Sequence, residues 1–104
     1  MQRVAFVMRV RPGQELEYRR RHEAVWPEML RALKEAGCAN YSIFMRGREL
    51  FAYMEVVDFD DLRRTLAASE ASRLWEEHMA GIMEQGILPE TGFHEVLPEV
   101  FHLD

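Results

Sequence analysis

Residues 39–57 read ANYSIFMRGRELFAYMEVV. Two runs rich in strand formers, 39–46 and 49–57, flank Arg46-Gly47-Arg48. A connection that short between two such runs predicts a β-hairpin. In the second run Leu50, Ala52, Met54 and Val56 alternate with Phe51, Tyr53, Glu55 and Val57. Both faces of this strand are therefore largely apolar. A sheet covered by helices on one side only should be polar on the other. A second copy of the chain is the simplest cover, so a homodimer with sheet against sheet is expected.

Upstream, residues 3–10 (RVAFVMRV) alternate as a strand and Pro12-Gly13 closes it with a turn. Residues 14–36 have helical periodicity, with Tyr18, His22, Val25, Met29, Leu33 and Ala36 on one stripe and Gly37 as the stop. Pro27 interrupts that pattern. It has no amide for the carbonyl of Glu23 and disfavours helix at Trp26, so a break is expected near 23–26. Downstream, Asp58 suits the N-cap of FDDLRRTLAA, and Ser69 that of EASRLWEEHMAGIME, with Gly86 ending it. Residues 93–103 (FHEVLPEVFHL) read as a last strand, with Pro98 at an edge or bulge. The order strand, helix, strand, strand, helix, strand is the ferredoxin-like βαββαβ pattern. It predicts an α+β fold: one antiparallel sheet with its helices on one face, as a single domain over 1–104.

Composition bounds the function. The chain has 104 residues, 48% hydrophobic and 30% charged, with net charge −5. That suits one globular domain and argues against a nucleic-acid partner. Arg19-Arg20-Arg21 has acidic neighbours and reads as a solvated helix face. Cys38 is the only cysteine, so it reads as a buried, inert thiol. The first apolar run is short and broken by Arg9, so neither a signal peptide nor a membrane span is expected, and the cytoplasm is the default location. Neither a phosphate loop, a Gly-x-Ser-x-Gly motif nor metal-ligand spacing is present. His78, His94 and His102 are scattered. The expected chemistry is cofactor-free acid–base work or none, with no metal.

Tyr18, His22, Tyr41 and Trp75 draw attention, with Trp26 nearby. Each has a purely structural reading as core. Tyr18 and His22, however, lie at i and i+4 and bring two polar tips to the sheet-facing side. A helix break one turn later opens space between helix and sheet. Aromatic faces there suit the C–H side of a sugar and polar tips its hydroxyls.

The segments AFVMRV, EYRRRH, VWPEM, NYSIF, LFAYMEV, LWEEHM and EVF, in this order from about residue 3 to 103, resemble the L-rhamnose mutarotase family. The Tyr-x-x-x-His-x-x-x-Trp-Pro-Glu run is the most specific part. The resemblance implies a dimeric ferredoxin-like fold and cofactor-free interconversion of the α and β anomers of L-rhamnose. It implies His22 as the acid–base residue, described in the family as proton donor, and Tyr18, Tyr41, Leu74 and Trp75 around the sugar. The family often carries two tryptophans at the last pair, and here the first is Leu74. The partner base stays open among water, a tyrosine hydroxyl and a carboxylate such as Glu99. Rival readings are a cofactor-independent monooxygenase or haem-handling protein on the same scaffold, a mutarotase for another 6-deoxy sugar such as L-fucose, and a module that only binds its ligand.

Overall fold

The computed structural model describes residues Met1–Asp104. It contains β1 (Gln2–Val10), α1 (Glu15–His22), α2 (Pro27–Glu35), β2 (Cys38–Arg46), β3 (Glu49–Val56), α3 (Phe59–Ala67), α4 (Glu70–Ala80), β4 (Met83–Gln85) and β5 (Glu95–Leu97). The expected hairpin is β2–β3, and β3 lies antiparallel to β1 from Gln2↔Val56 to Arg9↔Glu49. The sheet order is β2-β3-β1-β4, with β5 also on β1. All of its pairings are antiparallel.

Alternation sorts the sheet into two faces. Val4, Phe6, Met8 and Val10 of β1 are buried, as are Leu50, Ala52, Met54 and Val56 of β3. They join Tyr18, Met29, Leu62, Trp75 and Met79, at least one from each helix, in one core cluster. All four helices thus pack on the same face, as expected.

Three local predictions hold. The helical stretch 14–36 splits into α1 and α2, with Trp26 extended at ψ 136° and Pro27 in the first turn of α2. Proline there lacks only an amide that no carbonyl would have received. Asp58 and Ser69 cap α3 and α4, accepting from the amides of Asp61 (2.9 Å) and Ser72 (3.2 Å). Gly37 ends α2 at φ +85°, and a Cβ there would sit 3.3 Å from Val57, so both backbone and space ask for glycine.

Two boundaries differ. α4 stops at Ala80 rather than reaching Gly86. Ile82 and Met83 keep the helical spacing, but Met83 pairs with Val10 and the Ile82 carbonyl accepts from Arg11 at 2.9 Å. Tertiary pairing overrides the periodicity. The last strand shrinks from 93–103 to Glu95–Leu97, because Pro98 cannot donate to the ladder. Residues 98–104 continue without regular structure.

The arginine run also divides. Arg19 and Arg20 are exposed, whereas Arg21 is partly buried and donates to the His78 carbonyl at 2.6 Å, tying α1 to the last turn of α4.

Candidate active site

The helices, the sheet and the segment 87–94 border an open chamber of about 760 Å³, within the roughly 300–1,000 Å³ usual for small-molecule sites. A recess of about 50 Å³ lies against it, and His22, Tyr41, Ile43, Trp75, Glu76 and His94 are on the walls of both. Tyr18 and Met79 line the recess.

His22 is the last residue of α1. Its ring stacks on Tyr18 at 4.1 Å and meets Trp75 edge-on at 5.5 Å. Its Nδ1 lies 3.1 Å from the Tyr18 carbonyl. A carbonyl only accepts, so Nδ1–H donates and Nε2 is the nitrogen left for the chamber. Burial lowers the His22 pKa, and the bond to the Tyr18 backbone partly opposes this. Tyr18 is 5% exposed. Burial, aided by the charge of Glu76, pushes its hydroxyl far above the ordinary value, and burial does the same to Tyr41. Both hydroxyls therefore stay protonated and act as hydrogen-bonding groups.

Tyr41 owes its place to a bulge. Ala39 pairs with Glu55 and Ser42 with Tyr53, so Asn40 and Tyr41 together oppose one residue of β3. Asn40 takes a positive φ of 48°, and its amide donates to Glu55 at 2.7 Å. The extra residue turns Tyr41 to the helix side, against Phe6 at 6.0 Å.

Of the residues singled out from sequence, His22, Tyr18, Tyr41 and Trp75 come together here. Leu74 does not: it is 42% exposed on α4 and on neither wall. One step along a helix turns a side chain by about 100°, which separates Leu74 from buried Trp75. Trp26 packs edge-on against Trp75 at 5.1 Å and lies outside both walls, as part of the supporting shell. Glu99 sits elsewhere, bound by the Arg3 guanidinium at 2.8 and 2.9 Å. Cys38 is buried.

Sequence reasoning missed two wall residues. Glu76 falls on the stripe Ser72, Trp75, Glu76, Met79, a signal visible once Trp75 and Met79 are taken as anchors. His94 has no periodic signal. It stacks on Phe6 at 4.9 Å, and its Nδ1 is buried without a partner. Burial brings its pKa down to about 4. No group of three or more His, Cys, Asp or Glu is placed to hold a metal ion.

Fold and chamber together define a class: a small antiparallel α+β domain whose aromatic chamber, with two half-buried histidines on its wall, suits a polyhydroxylated ligand. Comparison with known proteins narrows it. The family model for L-rhamnose mutarotase matches residues 3–103. An L-rhamnose mutarotase of Listeria monocytogenes serovar 1/2a is 43% identical, over 99% of both chains. That of Opitutus terrae is 42% identical over the full length of both. The crystal structure of an L-rhamnose mutarotase from Formosa agariphila superposes with a TM-score of 0.82 at 34% identity, covering both chains completely. Tetracenomycin F2 cyclase of Streptomyces glaucescens shares the fold alone, with a TM-score of 0.60 at 15% identity. The chain belongs to the L-rhamnose mutarotase family.

Proposed function

We propose that this protein interconverts the α and β anomers of L-rhamnose, with His22 as its acid–base residue and Tyr18, Tyr41 and Trp75 around the sugar. The family membership and its relatives favour this isomerase reading over a monooxygenase or haem-handling protein. The observation that carries the site is the setting of His22. Its Nδ1 is committed to the Tyr18 carbonyl, its ring is fixed between Tyr18 and Trp75, and its Nε2 is free at the chamber wall.

Mutarotation breaks and remakes one C–O bond. The anomeric hydroxyl loses a proton, the ring oxygen gains one, and the open-chain aldehyde rotates before closing on its other face. Only protons and that bond move, so the chemistry calls for a group that donates and accepts near neutrality. His22 Nε2 protonates the ring oxygen. The tyrosine hydroxyls hold the sugar's hydroxyls, and the Trp75 ring covers its C–H face. Leu74 has no part in this reading, because it stands outside the chamber.

Anomer exchange measured by NMR saturation transfer tests it, with L-rhamnose first and L-fucose second. His22→Ala should lower the catalysed rate about a hundredfold to ten-thousandfold while the fold survives. A variant exchanging at the parent rate sinks the assignment.

The same reading includes a homodimer. Phe44, 66% exposed, lies beside Phe51 on the face of the sheet away from the helices, and Phe101 in the tail is 80% exposed. A second sheet would cover them. A monomer at every concentration in sedimentation velocity would overturn that. No helix is long and apolar enough to cross a membrane. The cytoplasm is the proposed location, where Cys38 stays reduced.

A further inference from the structure

Ring opening needs a group to take the anomeric proton as His22 gives one. Three sources were open: water, a tyrosine hydroxyl, or a carboxylate such as Glu99. The tyrosines are removed by their burial, which holds both hydroxyls protonated. Glu99 is removed by position, since Arg3 binds it away from the chamber.

Glu76 is in the right place. It follows Trp75 on α4 and lies on the walls of both the chamber and the recess, with His22 on each. It is the only carboxylate on the wall of the recess. Its charge bears on the hydroxyls of both Tyr18 and Tyr41, so it stands near both. No cation or donor of the protein offsets its burial. Several carboxylates outside the chamber are instead held by arginines. Glu84 is held by Arg9 and Arg48, Glu49 by Arg46, and Glu17 by Arg20 and Arg21. A carboxylate left without a partner in a half-buried place costs free energy unless a ligand occupies it.

We propose that Glu76 touches the bound sugar and is the proton partner of His22. This rests on the mutarotase reading of the site. The step balances as follows. The Glu76 carboxylate takes the proton of the anomeric hydroxyl, and the O–H electron pair becomes the second bond of the aldehyde carbonyl. The bond from the anomeric carbon to the ring oxygen breaks, its electrons go to that oxygen, and His22, starting as the imidazolium with protons on both Nδ1 and Nε2, protonates it from Nε2. Glu76 is then protonated and His22 neutral. After rotation the same transfers run backwards on the other face, so the pair holds one proton throughout. Burial favours this exchange, because it lowers the His22 pKa and raises that of Glu76, drawing the two together. His94 shares the wall, but with its pKa near 4 it is a poor acceptor at neutral pH.

The test is Glu76→Gln beside His22→Ala, both assayed with L-rhamnose by NMR saturation transfer. The glutamine keeps the shape and removes the titration. Its turnover at saturating sugar should fall about a hundredfold, with half-saturation little changed and thermal stability at neutral pH equal or higher. Parent turnover in Glu76→Gln with an inactive His22→Ala overturns the Glu76 role and leaves His22 standing. A rise in half-saturation alone overturns the proton role too, leaving only a contact. Parent rates in both variants overturn the reading of the whole site.

Discussion

The two faces of the sheet are built from the same strands, yet they treat charge in opposite ways. On the open face, Glu99 and Glu55 are paired. Hydrogen bonds from Arg3 hold Glu99 below the ordinary range, and bonds from Asn40 and Tyr53 do the same for Glu55. On the helix-covered face three titratable groups are driven toward their neutral forms. Glu76 is raised, and His22 and His94 are lowered, each chiefly by burial. One face suits solvent or a docking partner. The other holds titratable groups without charged partners on the wall of an open chamber, a setting suited to acid–base chemistry.

The largest expected effect breaks this comparison through packing. Phe6 on the covered face is 1% exposed and meets Tyr41, Phe93 and His94. Phe6→Ala should cost about 3–5 kcal/mol of stability. Phe44→Ala on the open face should cost a monomer less than about 1 kcal/mol. In a dimer its loss should instead weaken association and make the melting temperature depend on protein concentration. Equal costs for the two variants, measured by urea unfolding of dilute protein, would remove the distinction between the faces.

A smaller effect concerns how Tyr41 reaches the covered face. Valine is poorly suited to the positive φ of Asn40, so Asn40→Val should cost about 1–3 kcal/mol. If the bulge is lost, Tyr41 moves toward the open face and half-saturation by L-rhamnose rises. Asn40→Gly tolerates the backbone and should keep half-saturation near the parent value. A valine variant with parent stability and parent half-saturation would show that the bulge does not place Tyr41.

These residues also show what could be read from the chain. Alternation in residues 3–10 and 49–57 and the short Arg46-Gly47-Arg48 link were enough for the sheet, because period two is a local property. Pro27 and the caps Asp58 and Ser69 were legible for the same reason. β4 was not: nothing local distinguishes Met83 from one more helical turn, and only its partner Val10 decides. Of the chamber residues, Tyr18 and His22 were visible as an i, i+4 pair. Trp75 was visible as a large aromatic on a helix, but its neighbour Glu76 was not, because helical spacing alone resolves the rotation of α4 poorly. His94 depends wholly on a loop folding back beside Phe6.

The smallest expected effect is a slope, and it separates the faces by sign. Glu76 has a folded pKa above its unfolded value, which is near 4.5. The native state therefore binds more protons than the unfolded chain between those two values. The stability tied to that proton is fully present below about pH 4.5 and is lost as pH rises through the folded pKa. His22 and His94 run the other way. Their folded pKa values lie below 6.5, so their contribution is kept above 6.5 and lost as pH falls, for His94 toward about 4. Glu76→Gln should thus gain stability over the parent progressively from about pH 4.5 upward, with the two converging below it. The other titratable groups on the chamber wall, Tyr41, Arg63, Arg73, Glu77 and the two histidines, are unchanged in the variant, as is Tyr18 in the recess. Glu99→Gln should instead lose stability to the parent, by an amount that builds as pH rises to about 4.5 and stays constant above it, because Arg3 holds that carboxylate below its ordinary value. Thermal melts of the two variants across this range should diverge from the parent in opposite directions. Parallel curves would mean that Glu76 is as well solvated as the paired carboxylates of the open face.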